Sequence, residues 1–530
     1  MLRIRQCNGY DAMNKERNYL LGMDCGTTNI KAVILSEDGA VIAKAGRTSS
    51  TIIPFSGGQE QNADNWWEDA VDVFQELSKK AGQDVIGKIR GLSISSHTVS
   101  MLPVDRSGRP LRNAILYSDI RSSGELEEIV QKVGRKRFVS IVGGQPSVAF
   151  LPNKILWFKR HEPELFARTS CFLQASSYLN YKLTGVLSSD TDQATRTQCL
   201  DISSGKWSAE IGNAVGVDLE KMLPPLFKVD DVIGNITEEA AAVTGLKAGI
   251  PVIAGCSDAM ASMYATGMSR LGEAGESCGT SSLLFAGSLK KSLPDAPVVT
   301  RPCTIEGIPW IFDAPITATG AALEWFISRF ALEECEKAKA AGKDIYSCLN
   351  ELALEAEPGC GGLYFFPYLS GERAPLWNDH ARGMFIGLHM NMKRCDLIRS
   401  VFEGTSYALR HVIETVRASG ARVESLRICG GGAKSAAWNQ MKASVLNLPV
   451  YVLDGDSGDV PVGDALLAGH SIGIFEDLTK AAMKTVRIKE TIQPNQEWVK
   501  RYEKLYPYYV TMYRHLDEDL QGVKRTLADL

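Results

Sequence analysis

The apolar residues of this chain come in short runs separated by polar, glycine-containing turns. Residues 19–23 (YLLGM) form a run of the length of a buried strand. The run ends in Asp24-Cys25-Gly26-Thr27-Thr28-Asn29, and a second one, residues 30–35 (IKAVIL), follows at once. Glu37-Asp38-Gly39 is turn chemistry, and residues 41–45 return as a third strand. The chain thus opens as an antiparallel meander with a polar Gly/Thr loop in its first hairpin. Over residues 62–77, Trp66, Trp67, Ala70, Val71, Phe74 and Leu77 recur at helical spacing, with Asp64 or Asn65 as the expected cap. Residues 89–95 (IRGLSIS) read as a strand again, and strands alternating with helices predict an α/β architecture.

A similar grammar returns later. Residues 249–255 (GIPVIAG) predict a strand leading into Cys256-Ser257-Asp258. Residues 272–282 (GEAGESCGTSS) predict another Gly/Ser/Thr loop, and residues 426–429 a strand that runs into Gly430-Gly431-Gly432-Ala433 and a helix over 436–446. No sequence repeat is detectable; the repeated pattern is a strand followed by a loop of small polar residues. No Pro/Gly/Ser-rich linker divides the chain, so a boundary near residue 255 predicts two halves packed around a cleft.

Composition narrows the class. At 530 residues and 45% hydrophobic content, the chain is too long for one core, and about two domains of ~250 residues are expected. Lys and Arg (58) nearly balance Asp and Glu (62), which excludes the bulk basic field of a nucleic-acid binder. The 12 cysteines form no CxxC and no zinc-ligand spacing with His, so buried thiols in a reducing cytoplasm are expected. The first 18 residues lack the apolar run of a signal peptide, and no stretch approaches a membrane span.

Three loops carry candidate chemistry. In Asp24–Asn29, Gly26 permits a tight turn, the N–H groups after it can point into one concavity, and Thr27 and Thr28 add hydroxyls. That combination suits phosphate oxygens, and Asp24 at the strand end could hold Mg²⁺ through water. Residues 275–282, with Gly279 and Thr280, have the same character, although an ordinary β-turn uses the same residues. Three consecutive glycines, Gly430 to Gly432, each lose much backbone freedom, which close approach of a flat ligand or phosphate would explain.

These segments together resemble the FGGY carbohydrate kinases of the actin-type ATPase superfamily. LLGMDCGTTNIKAVIL resembles the family's first phosphate loop, GQEQNADNWWEDA its early Trp-Trp segment and PNKILWFKRHEPELF its Pro-x-Lys-Leu-x-Trp helix. KAGIPVIAGCSDAMA resembles the strand that delivers the catalytic aspartate, and GEAGESCGTSSLLF the second phosphate loop. Residues 383–403 resemble the C-terminal signature and ICGGGAKSAAWNQMKASVLNLPVYV the adenosine loop, so the likeness spans residues 19 to 485 in the family's order.

The resemblance implies two actin-like (ribonuclease H-like) domains with mixed sheets flanked by helices and a deep cleft between them. Residues 1–18 would be an extension, 19–254 the sugar-binding domain and 255–530 the nucleotide-binding domain. The implied activity is transfer of phosphate from ATP, with Mg²⁺, to a sugar or polyol hydroxyl. Asp258 matches the catalytic base, Asp24 the residue that organises Mg²⁺, and Gly26, Thr27, Thr28, Gly279 and Thr280 match phosphate-loop positions. Gly320 resembles another nucleotide-side glycine, and Gly430, Gly431 and Gly432 would lie against the adenosine. Closure of the cleft on bound sugar is expected, because water could otherwise replace the hydroxyl.

The sugar segment departs from the family. Ser95-Ser96-His97-Thr98-Val99-Ser100 falls where xylulose kinases read Ser-Gly-Gln-Met-His-Gly and glycerol kinases carry Gln-Arg-Glu. His97 and Thr98 are candidate sugar contacts, His97 being equally readable as a structural histidine. Asp119 and Arg121 match an Asp-x-Arg segment beneath the sugar, or form an ion pair; Gln145 and Gln174 are further candidates. Thr191, Asp192 and Ala194 resemble an Asp/Ala/Ser-rich segment of pentulose kinases, and Glu372-Arg373 reads as a structural ion pair or support for the site. The texture is nearer the xylulose/gluconate branch, so a pentulose such as xylulose or a related polyol is the expected substrate and gluconate the alternative. A nucleotide-binding regulatory protein without sugar turnover is the alternative of another class. The expected partners are a sugar and ATP, with no nucleic acid and no membrane. The aromatic C-terminal segment, residues 495–530, reads as a helix on the second domain that could contribute to a homodimer.

Overall fold

The computed structural model describes residues 17–293, 296–378, 380–455 and 458–529. Residues 1–16 of the expected N-terminal extension lie outside them. Six strands build the first sheet: β1 (Tyr19–Cys25), β2 (Asn29–Ser36), β3 (Val41–Thr48), β4 (Ile89–Ser96), β5 (Val232–Asn235) and β6 (Pro251–Ile253). Seven build the second: β7 (Gly272–Cys278), β8 (Ser282–Ser288), β9 (Val299–Pro302), β10 (Trp310–Ile316), β11 (Val423–Cys429), β12 (Val450–Leu453) and β13 (Ile488–Ile492). The helices that position the site are α1 (Ala63–Ala81), α2 (Thr191–Arg196), α3 (Asp258–Ala265), α4 (Gly320–Phe330), α5 (Ile345–Glu355), α6 (Ala436–Leu446) and α7 (Val460–Ser471).

The two sheets follow one plan. The first has the order β5-β6-β4-β1-β2-β3, with an antiparallel meander from β1 to β3 and the parallel neighbours β4 and β6 on the other side. The second has the order β9-β10-β8-β7-β11-β12-β13, again an antiparallel hairpin, β7–β8, beside the parallel strands β11 and β12. Leu20, Leu21 and Met23 are buried because β1 is central and covered on both faces. The edge strand β3 instead alternates, with Ile42, Lys44, Gly46 and Thr48 exposed.

The expected helix after β3 is α1, which buries Trp66, Ala70, Val73, Phe74 and Leu77. Its cap is Asn62 rather than Asp64 or Asn65: the Asn62 side chain accepts the Asp64 N–H at 2.9 Å. The long loop expected over 272–282 is mostly strand. β7 runs to Cys278, leaving only Gly279 to Ser281 as the turn. Its small residues are there for packing, since Gly275 pairs with Phe285 and a Cβ on it would lie 2.1 Å from that ring.

Two helices lock the sheets together. α3 follows the first sheet and leads into the second; α7 follows β12 of the second sheet and returns to pack on β1 before the chain adds β13. A Cβ on Gly22 of β1 would lie 1.9 Å from the Pro461 carbonyl oxygen, and one on Gly463 of α7 would lie 1.9 Å from that of Ala261. Only glycine lets these backbones approach so closely. The seam is filled by Leu20, Met260, Met263, Phe285, Val462 and Leu466, drawn from both sheets and both helices. The C-terminal segment is a helix, Gln496–Asp529, whose Tyr502, Tyr506, Tyr509 and Tyr513 are buried at helical spacing against Tyr364, Phe366, Tyr368 and Tyr407.

Candidate functional site

The two hairpin turns, Gly26–Thr28 and Gly279–Ser281, open onto two cavities that share a wall. A cavity of about 650 Å³ is lined by Gly279, Thr280, Gly320, Gly431 and Gly432, with Tyr346, Asn350 and Trp438 from α5 and α6. A second, of about 230 Å³, is lined by Thr27, His97, Thr98, Asp258, Ser281 and Ser282. The β7–β8 turn therefore presents one end to each cavity. The larger volume lies in the range of drug-sized ligands, about 300–1,000 Å³, and the smaller suits a compact polar molecule.

Asp258 is the first residue of α3. Ser257 caps the helix by accepting the Met260 N–H at 3.2 Å, and Asp192 fixes Ser257 by accepting its N–H at 3.0 Å and its hydroxyl at 2.5 Å. Arg196 holds Asp192 in turn (Nε to Oδ1 3.3 Å) and pairs with Asp313 of β10. Burial raises the Asp258 carboxyl to about 6; Arg196 and the Ala259 N–H pull it down, and Asp192 and Asp313 push it up. Asp192 thus sits behind Asp258 through Ser257, while Ala194 is core.

His97 follows β4. Its backbone N–H and its Nδ1–H both donate to the Cys25 carbonyl, at 3.1 and 3.0 Å. Burial lowers its pKa to about 4, so the ring is neutral and Nε2 carries a lone pair. That atom is buried without a protein partner, in a side chain that lines the smaller cavity. Val99 has φ 60°, a strained value for a β-branched residue, and its N–H is held by Gln174 Oε1 at 3.2 Å. Gln174 is therefore a backbone clamp rather than part of the cavity wall.

Several expected residues lie elsewhere. Asp119 is fully buried, forms a two-point pair with Arg121 (2.8 and 2.6 Å), accepts the Gln59 N–H at 2.7 Å, and does not line the cavity. Gln145 lines a separate groove with Ile202 and Thr300. Gly26 closes the first turn through its N–H to the Asn29 carbonyl (3.0 Å), and the exposed Thr28 accepts the Ser49 N–H (2.8 Å). Glu372 and Arg373 form no ion pair: Glu372 accepts the N–H groups of Thr317 (2.7 Å) and Arg373 (2.8 Å), and Arg373 lines the smaller cavity.

Gly320 opens α4 and donates its N–H to the Gly279 carbonyl at 3.1 Å, which leaves 2.3 Å between that oxygen and a would-be Cβ. In the glycine triplet, protein packing explains two positions. Gly430 has φ 90° and would place a Cβ 2.5 Å from the Cys278 carbonyl oxygen, and Gly432 would place one 2.3 Å from the Cys278 sulfur. Only Gly431 faces open space.

Asp24, next to the last residue of β1, is buried. Its Oδ1 lies 3.4 Å from the Ser95 hydroxyl, and burial and then Asp258 hold its carboxyl well above the usual range. Besides Arg373, the smaller cavity contains charges the local sequence pattern did not flag: Arg196, Asp313 and Arg301. The signal was present for two of them, since Arg301 and Asp313 interrupt apolar strand sequences (VVTRP, WIFDAPI) and are buried there. Arg301 donates to the Thr195 carbonyl at 2.5 Å, its Nε has no hydrogen-bond partner, and burial together with Arg196 lowers it to about 10.

Two family models match in the order of the fold. Residues 19–265 match the N-terminal domain of the FGGY family of carbohydrate kinases, and residues 275–472 its C-terminal domain. The chain belongs to the FGGY family of carbohydrate kinases. This carbohydrate kinase is 30% identical to a xylulose kinase of Bacillus subtilis over 94% of its own length and 97% of the relative's. It is 28% identical to a gluconokinase of Bacillus licheniformis, with 95% and 97% covered. The crystal structure of xylulose kinase from Rhodospirillum rubrum superposes with a TM-score of 0.86 at 28% identity, covering 95% of this chain and all of that one. Among the described residues, no helix of the kinase is long and apolar enough to cross a membrane.

Proposed function

We propose that this kinase transfers the γ-phosphoryl group of ATP to a hydroxyl of a pentulose such as xylulose, with Asp258 accepting the hydroxyl proton. The observation that carries the reading is the position of Asp258. It lines the small cavity beside Thr27 and Ser281, while the other end of the Gly279–Ser281 turn lines the nucleotide-sized cavity. A carboxyl raised to about 6 is ionised near neutral pH yet more basic than an ordinary aspartate, as a general base requires. ATP occupies the larger cavity, its triphosphate directed along the glycine-lined turn to the smaller one. His97 Nε2 accepts a hydrogen bond from a second sugar hydroxyl, and Thr98 lines the same wall. Asp24, a buried carboxyl close enough to Asp258 to feel its charge, is the hard oxygen donor that fits Mg²⁺. Asp24 would hold the ion through water, and the ion would neutralise phosphate charge when bound.

One observation favours an aldonate as second reading. Arg301 and Arg373 both line the small cavity, and Arg301 Nε has no hydrogen-bond partner, Asp313 Oδ2 standing 3.9 Å from it. A guanidinium so placed would pair with a substrate carboxylate. The test is ADP release with MgATP against ketoses, polyols and aldonates, with the phosphorylated product identified. Stimulation by a pentulose supports the first reading, stimulation by an aldonate alone supports the second, and ATP binding without stimulation by any sugar or aldonate counts against both.

A further inference from the structure

One buried acid is absorbed by neither the fold nor the chemistry above. Asp464 lies in α7, the helix that crosses β1 at Gly22, and its side chain is fully buried. The residues that follow it in the helix, Ala465, Leu466 and Leu467, are all apolar core. A buried carboxylate without a counter-ion is costly, and alanine would pack there without that cost. Asp464 accepts one hydrogen bond, from the Ser95 hydroxyl at 2.7 Å, and its Oδ1 has no partner. The charged groups acting on it are Asp24 and Asp258, both acidic.

The geometry points to Asp464 as a positioning residue for the metal at Asp24, acting through Ser95. This rests on the MgATP reading above. The Ser95 hydroxyl has one hydrogen to donate and two carboxylates in reach: Asp464 Oδ2 at 2.7 Å and Asp24 Oδ1 at 3.4 Å. Asp464 takes that hydrogen. Asp24 thereby keeps its lone pairs for the metal's water shell. Asparagine at 464 reverses the arrangement: its amide N–H donates to Ser95, and the hydroxyl turns to Asp24. The link also joins distant parts of the chain, since Ser95 lies in β4 and Asp464 rides on α7.

The test compares ADP binding by calorimetry in Mn²⁺ and in EDTA, on the full-length wild type, Asp464→Asn and Ser95→Ala, with bound Mn²⁺ read by electron paramagnetic resonance. Outer-shell changes at metal sites lower metal affinity about 10–100-fold. Asp464→Asn should lose that much of the Mn²⁺-dependent part and leave metal-free ADP affinity unchanged. Ser95→Ala should lose in the same direction, and serves as the test should Asp464→Asn fail to fold. Unchanged Mn²⁺ dependence in both variants, or an equal loss with and without metal, would overturn the assignment. A wild type whose ADP affinity ignores Mn²⁺ would instead overturn the metal reading on which it rests.

Discussion

Replacing Asp258 by asparagine should cost turnover and add stability, and both effects should follow pH in opposite senses. The carboxyl is raised from 3.8 to about 6, chiefly by burial, so roughly two pH units separate folded from unfolded chain. Between about pH 4 and pH 6 the folded protein keeps a proton that the unfolded chain releases, so stability falls as pH rises through that window. Above pH 6 the loss is complete and amounts to at most about 3 kcal/mol, less whatever the partly exposed carboxyl recovers from water. Asparagine does not titrate. The variant's advantage in urea denaturation should therefore be near zero at about pH 4 and full at pH 7. Catalysis runs the other way, because the base must be ionised. Wild-type kcat/KM should fall as pH drops through about 6, to roughly a tenth of its plateau by pH 5. The variant should lose about 10²–10⁴-fold at neutral pH, with ADP binding intact. A stability difference that ignores pH, or a wild-type rate flat to about pH 4.5 in folded protein, would refute the reasoning.

Other outcomes follow from the same geometry. Gly430→Ala should destabilise the fold by about 1–3 kcal/mol, because its φ is 90° and the Cys278 carbonyl blocks a Cβ, whereas Gly431→Ala should leave stability unchanged and weaken ADP binding. Thermal unfolding and calorimetry on the pair distinguish them. His97→Phe removes the partnerless Nε2 together with the Nδ1–H donated to the Cys25 carbonyl, which keeps the His97 backbone N–H; sugar KM should rise about 5–100-fold at constant ADP affinity. Lys442→Met breaks a buried pair, Lys442 Nζ to Glu276 Oε2 at 2.8 Å, beneath the β7–β8 turn. It should cost about 3–5 kcal/mol in denaturation experiments, because Glu276 is left buried and unpaired. Arg301→Gln should weaken an aldonate far more than a ketose in the ADP-release assay, if the enzyme accepts both.

The parts legible in the sequence were those with a local period or a local turn. Three strands with a Gly/Thr hairpin, the Trp66–Leu77 helical stripe and the helix over 436–446 all follow from spacing that neighbours enforce. The second glycine-rich stretch misled because small residues have two uses. Gly275 is small so that Phe285 can lie over it, and Gly430 and Gly432 are small to clear Cys278. Neither use leaves a local mark that separates it from ligand binding. The Arg196–Asp192–Ser257 chain behind Asp258 joins residues 65 positions apart and could not be read from spacing. Nor could Ser95 and Asp464, which are 369 positions apart. Buried charge inside apolar runs, as at Arg301, Asp313 and Asp464, was the signal the sequence held for such partners.

The most direct test of the central claim is ADP release by wild type and Asp258→Asn, with MgATP and each of xylulose, a pentitol and gluconate, alongside ADP binding by both proteins. The account predicts stimulation of the wild type by at least one of them, a phosphorylated product, and loss of that stimulation in the variant with ADP affinity unchanged. Sugar-stimulated turnover that survives in Asp258→Asn would contradict it.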